Sequence, residues 1–263
     1  MKFSKIIIII GFSFLMMYRA LFASGQGEGY DIMKKADLNN RGYQSEGYIS
    51  SLYLIDADQD TVIRKFIGLN LERNNSANYS IIEYLDPPDV RGTKFLTYHS
   101  SKGNSEEWMY TPEFKRVKKI KQNLTGAFMT SEFSHEDIYG NIFENYSYKK
   151  TGDETLEGVP CYLIEKYPKG KRSEYSMIKV WISKDKYLPQ RMEFSDRNQT
   201  LLKVESFSEW KKVDARAWRP EMILMYNMQS NRVSELKTEK INVGIGLSEA
   251  DFNSQRLERE IRF

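Results

Sequence analysis

The stretch Pro87–Asp137 contains PPDVRGTKFLTYH (87–99), EEWMYTPEFKRVKKI (106–120) and TGAFMTSEFSHED (125–137). Pro87-Pro88-Asp89 breaks one strand, Gly92 permits a turn, and Thr93 to Tyr98 restarts an extended run. Trp108 to Tyr110 reads as another strand, stopped at Thr111-Pro112, and Phe114 to Lys121 as a basic strand or ribbon. Asn123 to Thr130 reads as a loop bearing the apolar pair Phe128 and Met129, followed by a helical turn over Ser131 to Tyr139.

On either side of this stretch the same punctuation recurs along the chain. A Gly-rich leader, Gly27 to Gly29, precedes a predicted helix over about 30–40, whose apolar face is Ile32, Met33 and Ala36 and whose stop is Asn39-Asn40-Arg41-Gly42. Strands are expected near 46–56, 61–70, 78–86, 93–99, 105–111, 114–121, 142–150 and 160–168, then 174–184, 187–196, 200–210, 217–228 and 231–243. These runs are rich in Tyr, Ile, Val, Phe, Thr and Trp, as strands prefer. Turn residues separate them at Asn74-Asn75, Lys102-Gly103-Asn104, Thr151-Gly152-Asp153 and Asp196-Arg197-Asn198. Strands at this spacing predict an antiparallel barrel or sandwich. Ile178, Val180 and Ile182 share one side of their strand, opposite Met177, Lys179 and Trp181. The strand holding Met222, Leu224, Tyr226 and Met228 alternates with Ile223, Met225 and Asn227, is apolar on both sides, and so asks to be covered twice. A short capped turn around Ser248 to Asp251 closes a single domain over 26–263.

Residues 1–25 read as a signal peptide. Lys2 and Lys5 form the positive region, Ile6 to Met17 the apolar core, and Ala23-Ser24-Gly25 offers cleavage after Ala23 or after Gly25. An uncleaved anchor is the alternative. No cysteine is near, so the segment lacks a lipobox. Lys2, Lys5 and Arg19 lie in this segment and account for the whole excess of 39 Lys+Arg over 36 Asp+Glu, so the mature chain is formally neutral. A nucleic-acid binder carries a positive surplus, which argues against that class. Cys161 is the only cysteine, so no intrachain disulfide forms, and its place in the apolar run CYLI reads as a buried small hydrophobe.

Residues with catalytic potential are few. His99 and His135 are the only histidines and belong to no spaced metal motif. Ser134-His135-Glu136-Asp137 contains triad residue types, but neighbours on a helix point in different directions, so a helix cap with solvated charges is the better reading. Asp56-Ala57-Asp58-Gln59-Asp60 starts like a calcium loop, but Thr61 stands where Gly is needed and Ile67 where Glu is needed. It reads as an acidic hairpin turn. Gly244-Ile245-Gly246 is too short for a phosphate loop and lacks the following helix. No metal, cofactor or enzymatic activity is expected. Lys115, Arg116, Lys118, Lys119 and Lys121 read either as a solvated edge strand or as a docking patch for lipid headgroups or an acidic partner. Phe128, Met129 and Phe133 read as a core plug or as a lid over an apolar cavity, where methionine adapts to varied ligands.

The order and wording of the Pro87–Asp137 stretch resemble the outer-membrane lipoprotein-sorting (LolA-like) family, in the branch found beside large exporters. The resemblance rests on Pro87, Asp89, Val90, Gly92, Thr93, Phe95 and Leu96, then Trp108, Tyr110 and Pro112, then Phe128, Met129, Ser131, Phe133, Glu136 and Asp137. Thr130 departs from the Gly of that pattern and Glu132 from its Asp, and loss of the Gly stiffens any hinge there. The resemblance implies a mainly β fold, an incomplete antiparallel β-barrel with a few covering helices around an apolar cavity. It also implies a periplasmic carrier of the acyl chains of a lipid or acylated lipoprotein. The lipid-contacting residues expected on this reading are Phe128, Met129, Phe133, Ile178, Val180, Ile182, Met192 and Phe194. An inner-membrane exporter and an outer-membrane acceptor would be its partners, with peripheral membrane contact. The alternative is a periplasmic accessory protein of an exporter of the RND or MMPL type, docking protein through the basic ribbon and the Trp108 region. A hydrolase of envelope lipids would need a nucleophile with a base, and the sequence offers none.

Overall fold

The computed structural model describes residues 25, 27–39, 41–73, 77–100, 106–121, 125–139, 143–170, 173–215 and 217–263. The signal-peptide reading of 1–25, apart from Gly25, and the turns expected at Asn74-Asn75 and Lys102-Gly103-Asn104 fall outside them. The strands are β1 (Ser45–Ile55), β2 (Thr61–Arg73), β3 (Ala77–Asp86), β4 (Lys94–Ser100), β5 (Glu106–Thr111), β6 (Arg116–Ile120) and β7 (Tyr146–Leu156). They continue as β8 (Val159–Pro168), β9 (Tyr175–Ser183), β10 (Pro189–Asp196), β11 (Leu201–Lys212), β12 (Trp218–Asn227) and β13 (Arg232–Val243). All thirteen form one antiparallel sheet in the order β6-β5-β4-β3-β2-β1-β13-β12-β11-β10-β9-β8-β7. β6 and β7 are its two edges, so the sheet is an incomplete barrel and does not close.

Both faces bear apolar residues, and each meets a different cover. One face carries Leu52, Phe66, Ile82, Tyr84, Ile164, Ile178, Val180, Phe194 and Met225 in the larger core cluster. Helix α1 (residues 27–38) lays Ile32 and Ala36 against it, and the loop 125–134 with the short helix α2 (His135–Tyr139) adds Phe128, Met129 and Phe133. The opposite face of β2–β6 carries Leu69, Leu71, Ile81 and Leu96. It is covered by the C-terminal segment through Phe252, Leu257 and Ile261. Trp108 and Tyr110 of the WMYTP motif pack into this second cluster. The strap is fixed further where Lys94 Nζ donates to Arg259 O at 2.9 Å and the Ile261 amide donates to the Glu83 carboxylate at 3.2 Å. The expected capped turn is present, with Ser248 and Asp251 forming a capping box.

Three local expectations are corrected. Thr151-Gly152-Asp153 is not a turn. The β7–β8 ladder runs through it with a register shift between Lys150 and Gly152, and the reversal comes at Glu157-Gly158, both at positive φ. The outer side of β12 is not covered as its composition asked: Met225 is fully buried on the inner side, whereas Met222, Leu224 and Tyr226 stay half-exposed. The leader Gly27–Gly29 is the first turn of α1. Gly29 is buried there, and a Cβ on it would lie 2.6 Å from the Lys150 amide nitrogen and 2.8 Å from the Lys149 carbonyl carbon. Glycine therefore lets the helix approach the β7 backbone directly.

That contact sets a first test. Gly29→Ala should lower the stability of the protein by about 1–3 kcal/mol despite alanine's better helix propensity, because backbone cannot move aside as a side chain can. Urea unfolding of the two proteins measures the difference.

Candidate functional site

The candidate site is the concave apolar face and the loop that lies across it. Residues directly opposite in an antiparallel ladder share a face, so the registers trace rows across the sheet. One row runs Tyr148, Lys166, Ile178, Phe194, Lys203, Asn227, Arg232 from β7 to β13. The next runs Ile164, Val180, Met192, Glu205, Met225, Ser234. The expected lipid-contacting residues Ile178, Val180, Ile182, Met192 and Phe194 all belong to this face, and Phe128, Met129 and Phe133 of the loop pack in the same cluster. The structure thus brings all eight together in one apolar core.

Sequence reasoning missed the charged members of those rows. Lys203 alternates with Leu202 and Val204, and a strand so composed invites the assumption that the apolar pair faces in. Instead Lys203 and Glu205 are buried on the concave side beside Phe194 and Met192. Complementary charges two residues apart on one strand were the signal.

Lys203 is among the groups that hold the loop. Asp137, whose side chain is only 1% exposed, receives Lys203 Nζ at 2.8 Å and the Tyr175 hydroxyl at 2.7 Å. It also caps α2, accepting from the Ser134 amide at 2.7 Å while the Asp137 amide donates to Ser134 Oγ at 3.2 Å. Glu136 accepts from the Tyr146 hydroxyl at 3.0 Å and from the Glu174 amide at 3.2 Å. Glu132 accepts from Asn227 Nδ2 at 2.6 Å and pairs with Arg232 at 3.3 Å, while its amide donates to Ser234 Oγ at 2.9 Å. Ser131 turns the loop back, donating from Oγ to Phe128 O at 2.5 Å and accepting from the Phe133 amide at 3.2 Å. A cap was expected at Ser134–Asp137, but its charges are buried and paired, not solvated. Glu132 and Asp137 land on the Lys203–Asn227–Arg232 row and Glu136 on Tyr146 and the Glu174 amide, while Phe128, Met129 and Phe133 pack into the apolar core.

The position read as a missing glycine has a geometric basis. Met129 and Thr130 lie at φ 53° and 60°, in the left-handed region that favours glycine and is strained for a β-branched residue. The loop adopts the glycine conformation with threonine in place.

Burial dominates the electrostatics. Glu205 is pushed up to about 8 by desolvation, with Asp137 adding to the rise and Lys203 and Lys166 opposing it. Lys166, whose ammonium lies 3.8 Å from the centre of the Tyr146 ring, is pushed down to about 8 by burial against the pull of Glu136, Glu205 and Asp137. His99 is pushed down to about 3, first by desolvation and then by His135, which is itself lowered by burial. His135 stands edge-on to Phe128 with ring centroids 5.8 Å apart. The two histidines are therefore neutral parts of the interior near the loop, and among the described residues no cluster of three metal-ligating side chains forms.

Elsewhere, Asp56 folds the acidic hairpin turn, accepting from the Asp58 and Asp60 amides at 3.0 Å each. Cys161 is buried, with its thiol pushed up by desolvation. Lys115, Arg116, Lys118, Lys119 and Lys121 lie on and beside edge strand β6. Lys119 pairs with Glu106 and covers Trp108, its ammonium 5.3 Å from the ring centroid, so Trp108 lies between this lysine and the C-terminal strap.

A family model described only as an uncharacterized protein matches residues 76–259. A domain from Vibrio parahaemolyticus described as an outer membrane lipoprotein-sorting protein is 31% identical, with a TM-score of 0.84 over 89% of this chain and 100% of that one. The chain belongs to the outer-membrane lipoprotein-sorting family. A DUF1329 family protein from Desulfovibrio piger is 26% identical, with a TM-score of 0.82 over 89% of this chain and 99% of that one. A LolA superfamily protein from Nitrosomonas europaea shares the lipoprotein-sorting fold at 18% identity, with a TM-score of 0.69 over 86% and 97% of the two chains. No curated protein matches the sequence significantly.

The buried charges lead to two tests. Asp137→Asn or Lys203→Met alone should destabilise the protein by about 3–5 kcal/mol, because the remaining charge stays buried without its partner. A double replacement by apolar residues should recover most of that loss; a double-mutant cycle in urea reads this. Glu205 has a raised folded-state value, so it binds its proton more tightly when folded. The stability it contributes is complete below about pH 4.5 and is lost as pH rises through about 8. The wild type minus Glu205→Gln stability difference should therefore fall between pH 5 and 8, a comparison in which the opposite contribution of His99 cancels.

Proposed function

We propose that this protein is a periplasmic carrier that binds acyl chains of a lipid or lipoprotein against its concave face, with the loop 125–139 as a displaceable cover. One observation carries this reading. The loop places Phe128, Met129 and Phe133 in the apolar core, yet polar groups on several strands fasten it separately: Lys203 and Tyr175 hold Asp137, Tyr146 holds Glu136, and Asn227, Arg232 and Ser234 hold Glu132. An apolar ligand can replace those three side chains while a subset of the polar contacts persists. Such a step is physical, with no covalent chemistry and no catalytic residue.

The magnitudes permit it. Exposing three large apolar side chains costs about 1.5–3 kcal/mol each. Burying an acyl chain gains about 0.8 kcal/mol per methylene, so about six to eleven methylenes offset the opening. Short chains would fail and long ones succeed. Release then needs an acceptor or a shift in the loop equilibrium, because a ligand moves that equilibrium only by its differential affinity. Family membership supports the carrier role, and the Vibrio relative is itself described as a lipoprotein-sorting protein.

Native mass spectrometry of the exported protein, recovered gently from the envelope of cells expressing the full chain, tests the reading. An adduct of lipid mass, lost on denaturation, is expected. Glu132→Ala, which removes the bonds to Asn227 and Arg232, should speed uptake of an apolar dye severalfold. A protein that stays free of adduct after incubation with long-chain lipids and acylated peptide would contradict a carrier and return the accessory-protein reading.

A further inference from the structure

The β5–β6 hairpin is built unlike the rest of the sheet. Its turn, Pro112 to Lys115, carries Phe114, which at 64% exposed is the most exposed large hydrophobic side chain among the described residues. Lys118 Nζ lies 5.8 Å from the centre of its ring. Lys115, Arg116, Lys118 and Lys121 are exposed and have no ion pair among the described residues, whereas Lys119 is taken by Glu106. Glu113 is the single acid between Pro112 and Lys121. The hairpin is the free edge of the sheet, so no neighbouring strand shields it.

Topology fixes where this hairpin points. Consecutive strands alternate in direction, so the turns after β1, β3, β5 and β12 gather at one end of the sheet. Asn227 and Arg232, which hold Glu132 of the covering loop, flank the turn after β12 and belong to that same end. An aromatic side chain with cations around it therefore stands at the end where the loop would open. Apart from Glu113, the acids at this end stand on other turns. In the β3–β4 turn, Asp86 is paired with Arg91, leaving Asp89 as the exposed acid. Asp56, Asp58 and Asp60 crowd the β1–β2 turn. Four strand spacings separate that turn from the β5–β6 hairpin, about 19 Å along the sheet, which exceeds two Debye lengths at physiological salt.

We propose that the β5–β6 hairpin docks the protein on an anionic bilayer, with Phe114 entering the headgroup boundary and Lys115, Arg116 and Lys118 meeting the lipid phosphates. The acidic β1–β2 turn tilts the molecule so that the β6 edge faces the membrane. A bilayer fits better than an acidic protein because the apolar element is a single protruding ring among exposed cations, the arrangement that lies in a headgroup boundary. The proposal rests on the carrier reading for its purpose, since a carrier must reach a lipid surface, but its test is independent of lipid uptake.

The test uses the exported form of the protein. A fluorophore sensitive to polarity is attached at Phe114→Cys, and in a control at Asp214→Cys in the turn at the opposite end of the sheet. Vesicles containing phosphatidylglycerol should blue-shift the probe at 114 and leave the one at 214 unchanged, and added salt should weaken binding. Lys115→Glu with Lys118→Glu should lower vesicle affinity at least tenfold, since each cation near such a surface is worth about fivefold. Phe114→Asp should weaken it severalfold. All these side chains are exposed, so circular dichroism should match the wild type. Equal binding to phosphatidylcholine vesicles, an unshifted probe at 114 on bound vesicles, or undiminished binding by the charge variants would overturn the proposal. Binding to polyglutamate that is lost on charge reversal, with no shift on vesicles, would overturn it in favour of an acidic protein partner. Charge variants that still carry lipid in native mass spectrometry separate failure of docking from failure of the carrier reading.

Discussion

Asp137 is a carboxylate almost wholly removed from water, and it holds the covering loop against the concave side of the sheet. It receives the Lys203 ammonium and the Tyr175 hydroxyl from two strands of the sheet and caps the helix that ends the covering loop. An open sheet with an apolar concave face cannot leave that face in water. Helix α1 covers one part, and its close approach depends on Gly29. The loop covers the other part, and with its own apolar residues few and its backbone partly strained, it needs the buried ion pair to stay in place. Buried ion pairs contribute modestly to net stability and strongly to uniqueness of arrangement in some proteins. Here the pair selects one position for a segment that apolar contact alone would leave able to slide.

Much of this was legible in the chain. Thirteen extended runs were expected and thirteen strands form among the described residues, because β-branched and aromatic residues alternate between turn residues. The PPDVRGT and SEFSHED segments pointed to the family, and the structure shows why such residues recur together. Gly92, at φ 78°, turns the chain from β3 into β4 with Pro112 of the next hairpin packed beside it. Ser131 turns the loop back on itself, and Glu136 and Asp137 fasten it to the sheet. Of the eight apolar residues expected to meet lipid, the five in β9 and β10 share a face because of the strand period of two, and the loop lays Phe128, Met129 and Phe133 against them.

What could not be read locally depended on register. Lys203 and Glu205 lie in a strand where either alternate set could face inward, and only pairing with Phe194 and Met192 decides it. The charges of Glu136 and Asp137 look solvated in a polar segment, since nothing nearby in sequence announces partners 66 residues away in the case of Asp137 and Lys203. Thr151-Gly152-Asp153 has the composition of a turn, but the ladder absorbs it as an irregularity. The Gly-rich leader reads as a flexible approach until the β7 backbone is seen beside Gly29. In each case long-range packing overrode a local preference.

If the protein is a carrier of this kind, the loop occupies the place of the ligand and yields it. Hydrogen exchange of the amides of Phe128, Met129 and Phe133, with and without a bound long-chain lipid, tests this without intermediaries. Slow exchange is predicted in the free protein, with a marked loss of protection on lipid binding, while the amides of β9 and β10 stay protected. Lipid binding that leaves the protection of these three amides unchanged would contradict it, because the ligand would then lie somewhere the loop does not cover.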